Sequence, residues 1–491
     1  MSRTLSAAII ATTDIGKPSI NAETLNRYIC RKDSPLSGHI RTKVFYPLSP
    51  DRLSDISDEI CGLSPDVCFF YSHSSWPENK MFSFLNEIKK RTGNVILVSA
   101  RDTVCKFSKK TGTDNFIDYI LLGESERNFE KILTNMLSPG YKKVENTEVL
   151  EDFGTIENLD DIPSPILDGN FRIAPGQSKM QIYLSRGCHN KCSYCSVWES
   201  KERFFSKERP LSEIKAVIEK YPSIKVFQIM TPDIFDKKIN DILPHLKRLA
   251  EENEVFFSFF THSGIRRDDK TLESANCAYF NIRAGVQSFN MQSLKSVNRI
   301  GIPEEMRKNL LRMRSLATKA SLSAEFIMGL PYETEETFME GIDWAIKNRF
   351  SIVINHLFVP PESPLGMSEI GKMIKTMDGM PYYAKSTNTL SEQDMDRITE
   401  RLNRVFFILN MIKANKALAD LFYILAQKTK NKMPFVNFAE ILANRLLYGK
   451  ETSGWAAEYL DKSDKYIFST EGTTPFSKGN ILQLLKLLKA S

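Results

Sequence analysis

No uninterrupted apolar run in this chain of 491 residues approaches about 18 residues, so no membrane-spanning helix is expected. The opening segment, Met1 to Ile10, has too short an apolar run for a signal peptide, and the expected location is the cytoplasm. A net charge of only +6 does not argue for nucleic acid over the surface, and no nucleic-acid partner is expected. Cysteine is scarce, eight in all, and in the cytoplasm grouped cysteines are more readily metal ligands than disulfides. What is present is ordinary globular material, 42% apolar and 26% charged, long enough for roughly three domains.

Short apolar runs alternate with helical patterns from residue 5 to 135. Strands are expected at Ser6 to Thr12, His39 to Leu48, Asp66 to Ser72, Asn94 to Ser99 and Tyr119 to Leu122. Helices are expected at Asn21 to Cys30, Asp51 to Leu63, Glu78 to Thr92 and from Glu126. Continuous apolar strands between helices mean a parallel sheet covered on both faces, a doubly wound Rossmann-like α/β domain over residues 1–144. Its ligands would sit beyond the carboxyl ends of the strands, at Thr13 to Ile15, Ser72 to Ser75, Ser99 to Arg101 and Gly123-Glu124. Small residues there would let a bulky ligand approach the backbone, though they are as common in turns without ligands. No G-x-G-x-x-G occurs, so a nicotinamide or flavin dinucleotide is not indicated.

Residues 145–180 read as a linker, because Asp160-Asp161-Ile162-Pro163-Ser164-Pro165 opposes both helix and sheet. Strand-like runs then recur at Gln181 to Ser185, Lys225 to Met230, Val255 to Thr261, Phe280 to Val286, Leu322 to Leu330 and Ile352 to Pro360, with helical patterns between them. Six such pairs make a parallel barrel or partial (β/α)6 barrel over 181–365, with working residues at the strands' carboxyl ends. Residues 366–491 read as helical, opened by the capping box Ser391-x-x-Asp394, with Asn480 as a further cap before Ile481 to Lys489. Within 401–450, nine Lys or Arg face two acidic residues, Asp420 and Glu440. That is a solvated basic face or a site for an acidic or phosphorylated partner.

The chemistry gathers in Cys188-His189-Asn190-Lys191-Cys192-Ser193-Tyr194-Cys195, directly after the first strand of the second series. Thiolates at C-x3-C-x2-C spacing can converge on one cluster or metal. Closed structural sites normally supply four ligands, so three leave a position open for a ligand to bind and react. His189 as a fourth ligand would instead give structural zinc, and a non-catalytic iron–sulfur or zinc protein is the remote alternative. Cys30, Cys61, Cys68, Cys105 and Cys277 are scattered, mostly on apolar faces, and read as packing.

This loop resembles the signature of the radical S-adenosylmethionine (SAM) superfamily, with Tyr194 at the aromatic position before the third cysteine. The resemblance implies a 4Fe-4S cluster on Cys188, Cys192 and Cys195, SAM chelated at its open iron, a 5'-deoxyadenosyl radical, and an external donor of flavodoxin or ferredoxin type. It implies SAM contacts at Met230, Thr231 and Asp233 after the second strand. Arg266 would meet the SAM carboxylate, or else form a surface ion pair. Gln287 and Ser288 of Ala284-Gly285-Val286-Gln287-Ser288 would border the ribose. Gly329 of Gly329-Leu330-Pro331-Tyr332-Glu333-Thr334, and Phe358 and Val359 on the closing strand, complete the set.

Joined to the Rossmann-like domain, the barrel resembles the cobalamin-dependent subfamily. Asp118-Tyr119-Ile120-Leu121-Leu122-Gly123-Glu124-Ser125-Glu126 and the Asp160 to Pro165 linker look typical of it. The resemblance implies cobalamin between sheet and barrel, near Thr13, Ser72, His73, Ser74, Ser99, Ala100, Gly123 and Glu124. The subfamily often leaves cobalt without a histidine, so the lack of D-x-H-x-x-G is no objection. Two departures stand out. Val98-Ser99-Ala100 occupies the place of a paired glycine, which would crowd the nucleotide tail, and Thr12 to Pro18 matches poorly.

The resulting expectation is a methyltransferase acting at an unactivated carbon of a small molecule or peptide. The alternative is a radical SAM oxidoreductase, cyclase or isomerase with a vestigial N-terminal domain. A methylthiotransferase fits less well, since no second cysteine triad appears and no small basic β-domain follows.

Overall fold

Strand β1, Leu5–Ala11, sends Leu5, Ala7, Ile9 and Ala11 into one core and Ala8 and Ile10 into another. A strand without a polar face can rest only inside a sheet covered on both sides. The computed structural model describes residues 3–11, 18–47, 52–71, 78–93, 96–100, 117–121, 124–145, 148–150, 155–195, 201–361, 363–378, 382–413, 415–428, 433–448, 467–469, 480, 483–484 and 487–488. They divide into two compact units: Met1–Ser258 with Val359–Ser368 and Met377–Tyr382, and Phe259–Phe358 with Glu369–Thr376 and Tyr383–Ser491.

In the first unit, β2 (Ile40–Phe45), β3 (Val67–Tyr71), β4 (Ile96–Ala100), β5 (Tyr119–Leu121) and β6 (Glu148–Leu150) join β1. The order is β2-β1-β3-β4-β5-β6, parallel throughout. Leu25 of helix Ile20–Ile29 and Phe129 of helix Ser125–Leu137 cover one face. Ile60 of helix Ser54–Gly62 and Phe84 of helix Glu78–Thr92 cover the other. This is the expected doubly wound domain. Because β1 lies between β2 and β3, the winding reverses there, which is where such sheets hold ligands. Strand β6 lies in the stretch read as linker, and its three residues are too few to show periodicity.

The same unit holds β7 (Lys179–Tyr183), β8 (Ser185–Arg186), β9 (Arg203–Phe204) and β10 (Val226–Met230). Strand β10 runs parallel to β7 on one side and to the first residues of β11 (Phe256–His262) on the other. Strands β8 and β9 form a two-residue antiparallel ladder, with Arg186 opposite Arg203.

In the second unit the order is β11-β12-β13-β14-β17, with β12 Phe280–Gln287, β13 Ser321–Met328, β14 Ser351–His356 and β17 Ile467–Ser469. Strands β12, β13 and β14 are parallel to one another, and β17 is antiparallel to β14. The region expected to be purely helical thus also supplies a sheet strand, and a short ladder of β15 (Lys375–Thr376) with β16 (Ala384–Ser386). Its helices are Glu392–Lys413, Lys416–Lys428 and Phe435–Tyr448. The expected cap is present: Ser391 Oγ accepts from Asp394 N at 3.2 Å, and Asp394 Oδ2 accepts from Ser391 N at 2.9 Å. Two of the basic residues in 401–450 are internally paired. Arg401 bonds Glu335 at 2.7 Å and Glu440 at 3.1 Å, and Arg404 bonds Glu440 at 3.0 Å. Among the described residues, no helix is long and apolar enough to cross a membrane. The segment Ile481 to Lys489 is only partly within the described residues.

Phe129 is fully buried, with its ring centroid 4.7 Å from that of Phe69. Phe129→Ala should lower the stability of the N-terminal sheet by about 3–5 kcal/mol; an unchanged urea midpoint by circular dichroism would contradict this packing.

Candidate functional site

The ladder of β8 and β9 closes the base of the loop that carries the three cysteines. Cys192 is buried, Cys188 and Cys195 are half-buried, and none is in a disulfide. Cys195 N donates to Cys192 O at 3.0 Å, the tight turn that a C-x2-C spacing needs. Buried Asn190 gives Cys188 Sγ two donors, its backbone N–H at 3.4 Å and its Nδ2 at 3.6 Å. Burial pushes the Cys188 thiol up, and the Asn190 donors oppose that shift by favouring the thiolate. Leu365 N donates to Ser193 O at 3.0 Å, so the closing turn is fastened to the loop. Gly366 in that turn has to be glycine, since a Cβ would lie 2.3 Å from Pro360 O. Three thiols on one short loop, with amide donors on a sulfur, are a fitting donor set for a 4Fe-4S cluster with one open iron. His189 Nδ1 lies 2.6 Å from Glu202 Oε2. With Asp236 these groups could hold an ion, their ligand atoms lying within 4.8 Å of one another.

Other expected residues of this unit sit close by. Thr231 Oγ1 accepts from Ser185 Oγ at 3.0 Å, and Met230 O accepts from Leu184 N at 3.0 Å, which fixes the loop's first residues to the end of β10. Asp233 is buried and accepts from Phe235 N at 3.0 Å. Val359 is buried, its N–H on Tyr382 O at 2.9 Å, and Tyr194 is half-buried. Of the residues expected near cobalamin, Thr13, Ser72, His73, Ser74 and Gly123 lie outside the described residues. Ser99 and Ala100 end β4, opposite Phe70 and Tyr71 on one side and Ile120 and Leu121 on the other. They lie at the carboxyl edge of the sheet, one strand beyond β3, which flanks the switch point. Beside that edge, Asn21 Nδ2 donates to Tyr183 Oη at 3.1 Å and Tyr71 Oη at 3.5 Å. Glu124 is engaged by protein groups, Arg186 at 3.5 Å and Arg203.

In the second unit, Arg266 is exposed and makes no ion pair among the described residues. The register of β12 against β13 shifts between Gly285 and Gln287, a bulge that leaves Gln287 at φ +69°. Ser263 Oγ, at 2.8 Å, and Arg299 Nη2, at 2.5 Å, both donate to Gly285 O. Ser288 is buried; its Oγ accepts from Asn290 N at 2.8 Å and donates to the Glu333 carboxylate. Gly329 has φ +90°, a conformation that favours glycine, while the nearest atom to an added Cβ would be the mobile tip of Met395 at 2.9 Å. Phe358 is half-buried and bridges to Tyr383, their rings 6.2 Å apart.

Four participants lie outside the expected set. Glu333 is buried, its carboxylate held by Ser288 and Thr337; burial raises its pKa, and those two donors oppose the rise. Its signal was the motif itself, Gly329 to Thr334, from which Glu333 was not singled out. Asn190 lies inside the cysteine loop. Arg186 and Arg203 bracket it, and nothing short of the fold pairs them with glutamates some 60 and 79 residues away. Of the scattered cysteines, Cys68 and Cys277 are fully buried, and Cys30 bonds Asn26 and Thr42. Cys105 lies outside the described residues.

Residues 182–345 match the family model described as "Radical SAM superfamily". Over those residues the chain is similar to radical SAM domains, and its fold is similar to that of cobalamin-dependent radical SAM enzymes. More particularly, it superposes on the cobalamin-dependent S-adenosylmethionine radical enzyme OxsB with aqua-cobalamin bound. The TM-score is 0.63 at 13% identity, over 99% of this chain and 79% of that one. The radical SAM methyltransferase TsrM from Kitasatospora setae gives a TM-score of 0.58 at 12% identity, over 77% of this chain and 80% of that one. In sequence, the cobalamin-dependent radical SAM methyltransferase TokK of Streptomyces tokunonensis is 27% identical over 343 residues, 62% of this chain and 49% of TokK. A tRNA-2-methylthio-N(6)-dimethylallyladenosine synthase of Petrotoga mobilis is 28% identical over 200 residues, 38% of this chain and 44% of that protein. The chain thus spans about half the length of these curated relatives.

Cys192→Ala should abolish cluster assembly, whereas Cys277→Ala should leave it intact; equal iron counts in the two variants would refute the ligand assignment. Glu333→Ala, which strips buried Ser288 of its acceptor, should weaken SAM binding roughly tenfold, about 1.4 kcal/mol and at the lower end of what a lost buried partner costs. Titration of the reconstituted protein with SAM measures it, and an unchanged Kd would separate Glu333 from the SAM site.

Proposed function

We propose that this chain is a cobalamin-dependent radical SAM enzyme that methylates an unactivated carbon. The observation that carries the reading is the joining, in one compact unit, of a three-thiol loop with an open ligand position to a doubly wound sheet with a switch point. The superfamily match over 182–345 and the likeness to TokK and TsrM support it. Bound on Cys188, Cys192 and Cys195, the cluster would supply the electron that cleaves SAM, and a corrinoid at the first sheet would supply the methyl group.

The protein's own groups then bind, orient and shield. Asn190 holds a donor pair against the Cys188 sulfur, which would tune the potential of a cluster bound there. Thr231, Asp233, Gln287 and Ser288 would grip the amino and ribose parts of SAM, and exposed Arg266 would meet its carboxylate. An external donor of flavodoxin or ferredoxin type would supply the electron. The internal pairing of Arg401 and Arg404 reduces the case for an acidic partner at 401–450, so a small molecule or peptide remains the proposed substrate class.

A second reading, a cobalamin-dependent radical enzyme with another outcome, draws on the likeness to OxsB over 99% of the chain. Among the described residues, the placement of three of the five remaining cysteines disfavours methylthio transfer. Cys68, in an apolar cluster, and Cys277 are fully buried, and Cys30 is engaged by Asn26 and Thr42.

Reconstituted anaerobically and given dithionite and SAM, the protein should form 5'-deoxyadenosine and show a SAM-perturbed cluster spectrum; absence of both would sink the radical reading. Purified with hydroxocobalamin, it should retain about one equivalent by visible spectrum, and failure to do so would leave the radical reading standing without methyl transfer.

A further inference from the structure

Two arginines face each other across the ladder that closes the cysteine loop. Arg186 ends β8, Arg203 begins β9, and they are register partners. Their side chains are only 18% and 4% exposed. Like charges directly opposite on a ladder repel, and burial strengthens the repulsion. The ladder therefore needs two compensating anions.

Both come from the start of helix Ser125–Leu137 in the N-terminal domain. Glu126 Oε1 accepts from Arg186 Nη2 at 2.7 Å. Glu124, the residue capping that helix, accepts from Arg203 through both carboxylate oxygens and lies 3.5 Å from Arg186 Nη1. The glutamate side chains are 10% and 7% exposed. Arg203 Nε also donates to Lys201 O at 3.1 Å, and its Nη1 to Ile156 O. Two positive and two negative groups thus form a buried neutral set, with the carboxylates at the helix end that favours negative charge. Removing one member would leave a charge buried without its partner.

We infer that Glu124 and Glu126 are positioning residues for the iron–sulfur cluster: they hold the Arg186–Arg203 ladder shut, and through it the span between Gly187 and Glu202 in which the three sulfurs must converge. The N-terminal domain is accordingly part of the cluster's housing, whether or not a corrinoid occupies its sheet. This deepens the cluster reading above and rests on it.

The test uses the full chain, anaerobically reconstituted with iron and sulfide, with and without hydroxocobalamin. Iron per chain is measured after gel filtration, together with the electron paramagnetic resonance spectrum of the reduced cluster before and after SAM. Glu124→Gln and Glu126→Gln should each retain about threefold less iron and show an altered signal, because each leaves the buried set with one positive charge in excess. The paired variants E126Q/R186Q and E124Q/R203Q, which remove both charges, should recover iron to within about twofold of wild type. Wild-type iron and spectra in the single variants would overturn the inference, and so would paired variants as depleted as the singles, since the loss would then not come from an unmatched charge. Where a single variant fails to fold, its paired variant decides on the same criterion. A wild-type chain that takes up no cluster would refute the three-cysteine reading, and this inference with it.

Discussion

Three sulfurs can share one cluster only if the loop that carries them has little freedom left. Free in solution, a segment of this length samples many closures, and the entropy of ordering it opposes metal uptake. Here that freedom is removed from several directions. The ladder of β8 and β9 shuts the base, with Ser185 bonded to Thr231 and Leu184 to Met230. A turn joins Cys192 to Cys195, and Leu365 bonds Ser193.

The second unit is organised around a bulge of its own. A non-glycine residue at positive φ is costly, and Gln287 persists there because neighbours over-determine it. Ser263 and Arg299 hold Gly285 O, and Asn290 bonds both Ser288 and Tyr332. Tyr332, itself at φ +61°, precedes the buried Glu333 that receives Ser288. Two sequence motifs separated by two helices and a strand, Ala284 to Phe289 and Gly329 to Thr334, are thereby hydrogen-bonded together. A buried carboxylate at that junction fixes the orientation of two hydroxyls, those of Ser288 and Thr337.

Charge is used sparingly and locally. The stretch at 401–450 reads as a net positive surface, yet its arginines 401 and 404 converge on Glu440, and Arg401 also reaches Glu335. Counting charges along the chain measures supply, whereas the fold determines how much is already spent within it. Buried pairs such as Arg186 with Glu126 act as registers between distant segments, a role better attested for buried ions than simple stabilisation.

Much of this was legible in the linear chain. Apolar strands without a polar face imply a sheet covered on both sides, and the β1 to β5 runs appear within a few residues of their expected ends. Local spacing likewise defined the three-thiol loop, the Ser391 cap and the strand-end motifs, because each depends on neighbours in sequence. Strands β6 and β17 escaped notice because three residues carry no period. The strand order β2-β1-β3, the partnership of Ser288 with Glu333, and the seating of Arg186 and Arg203 on Glu124 and Glu126 were decided only in three dimensions. A side chain's type says what it can bind, but a buried charge or hydroxyl takes whichever partner the packing of remote segments brings within hydrogen-bonding distance.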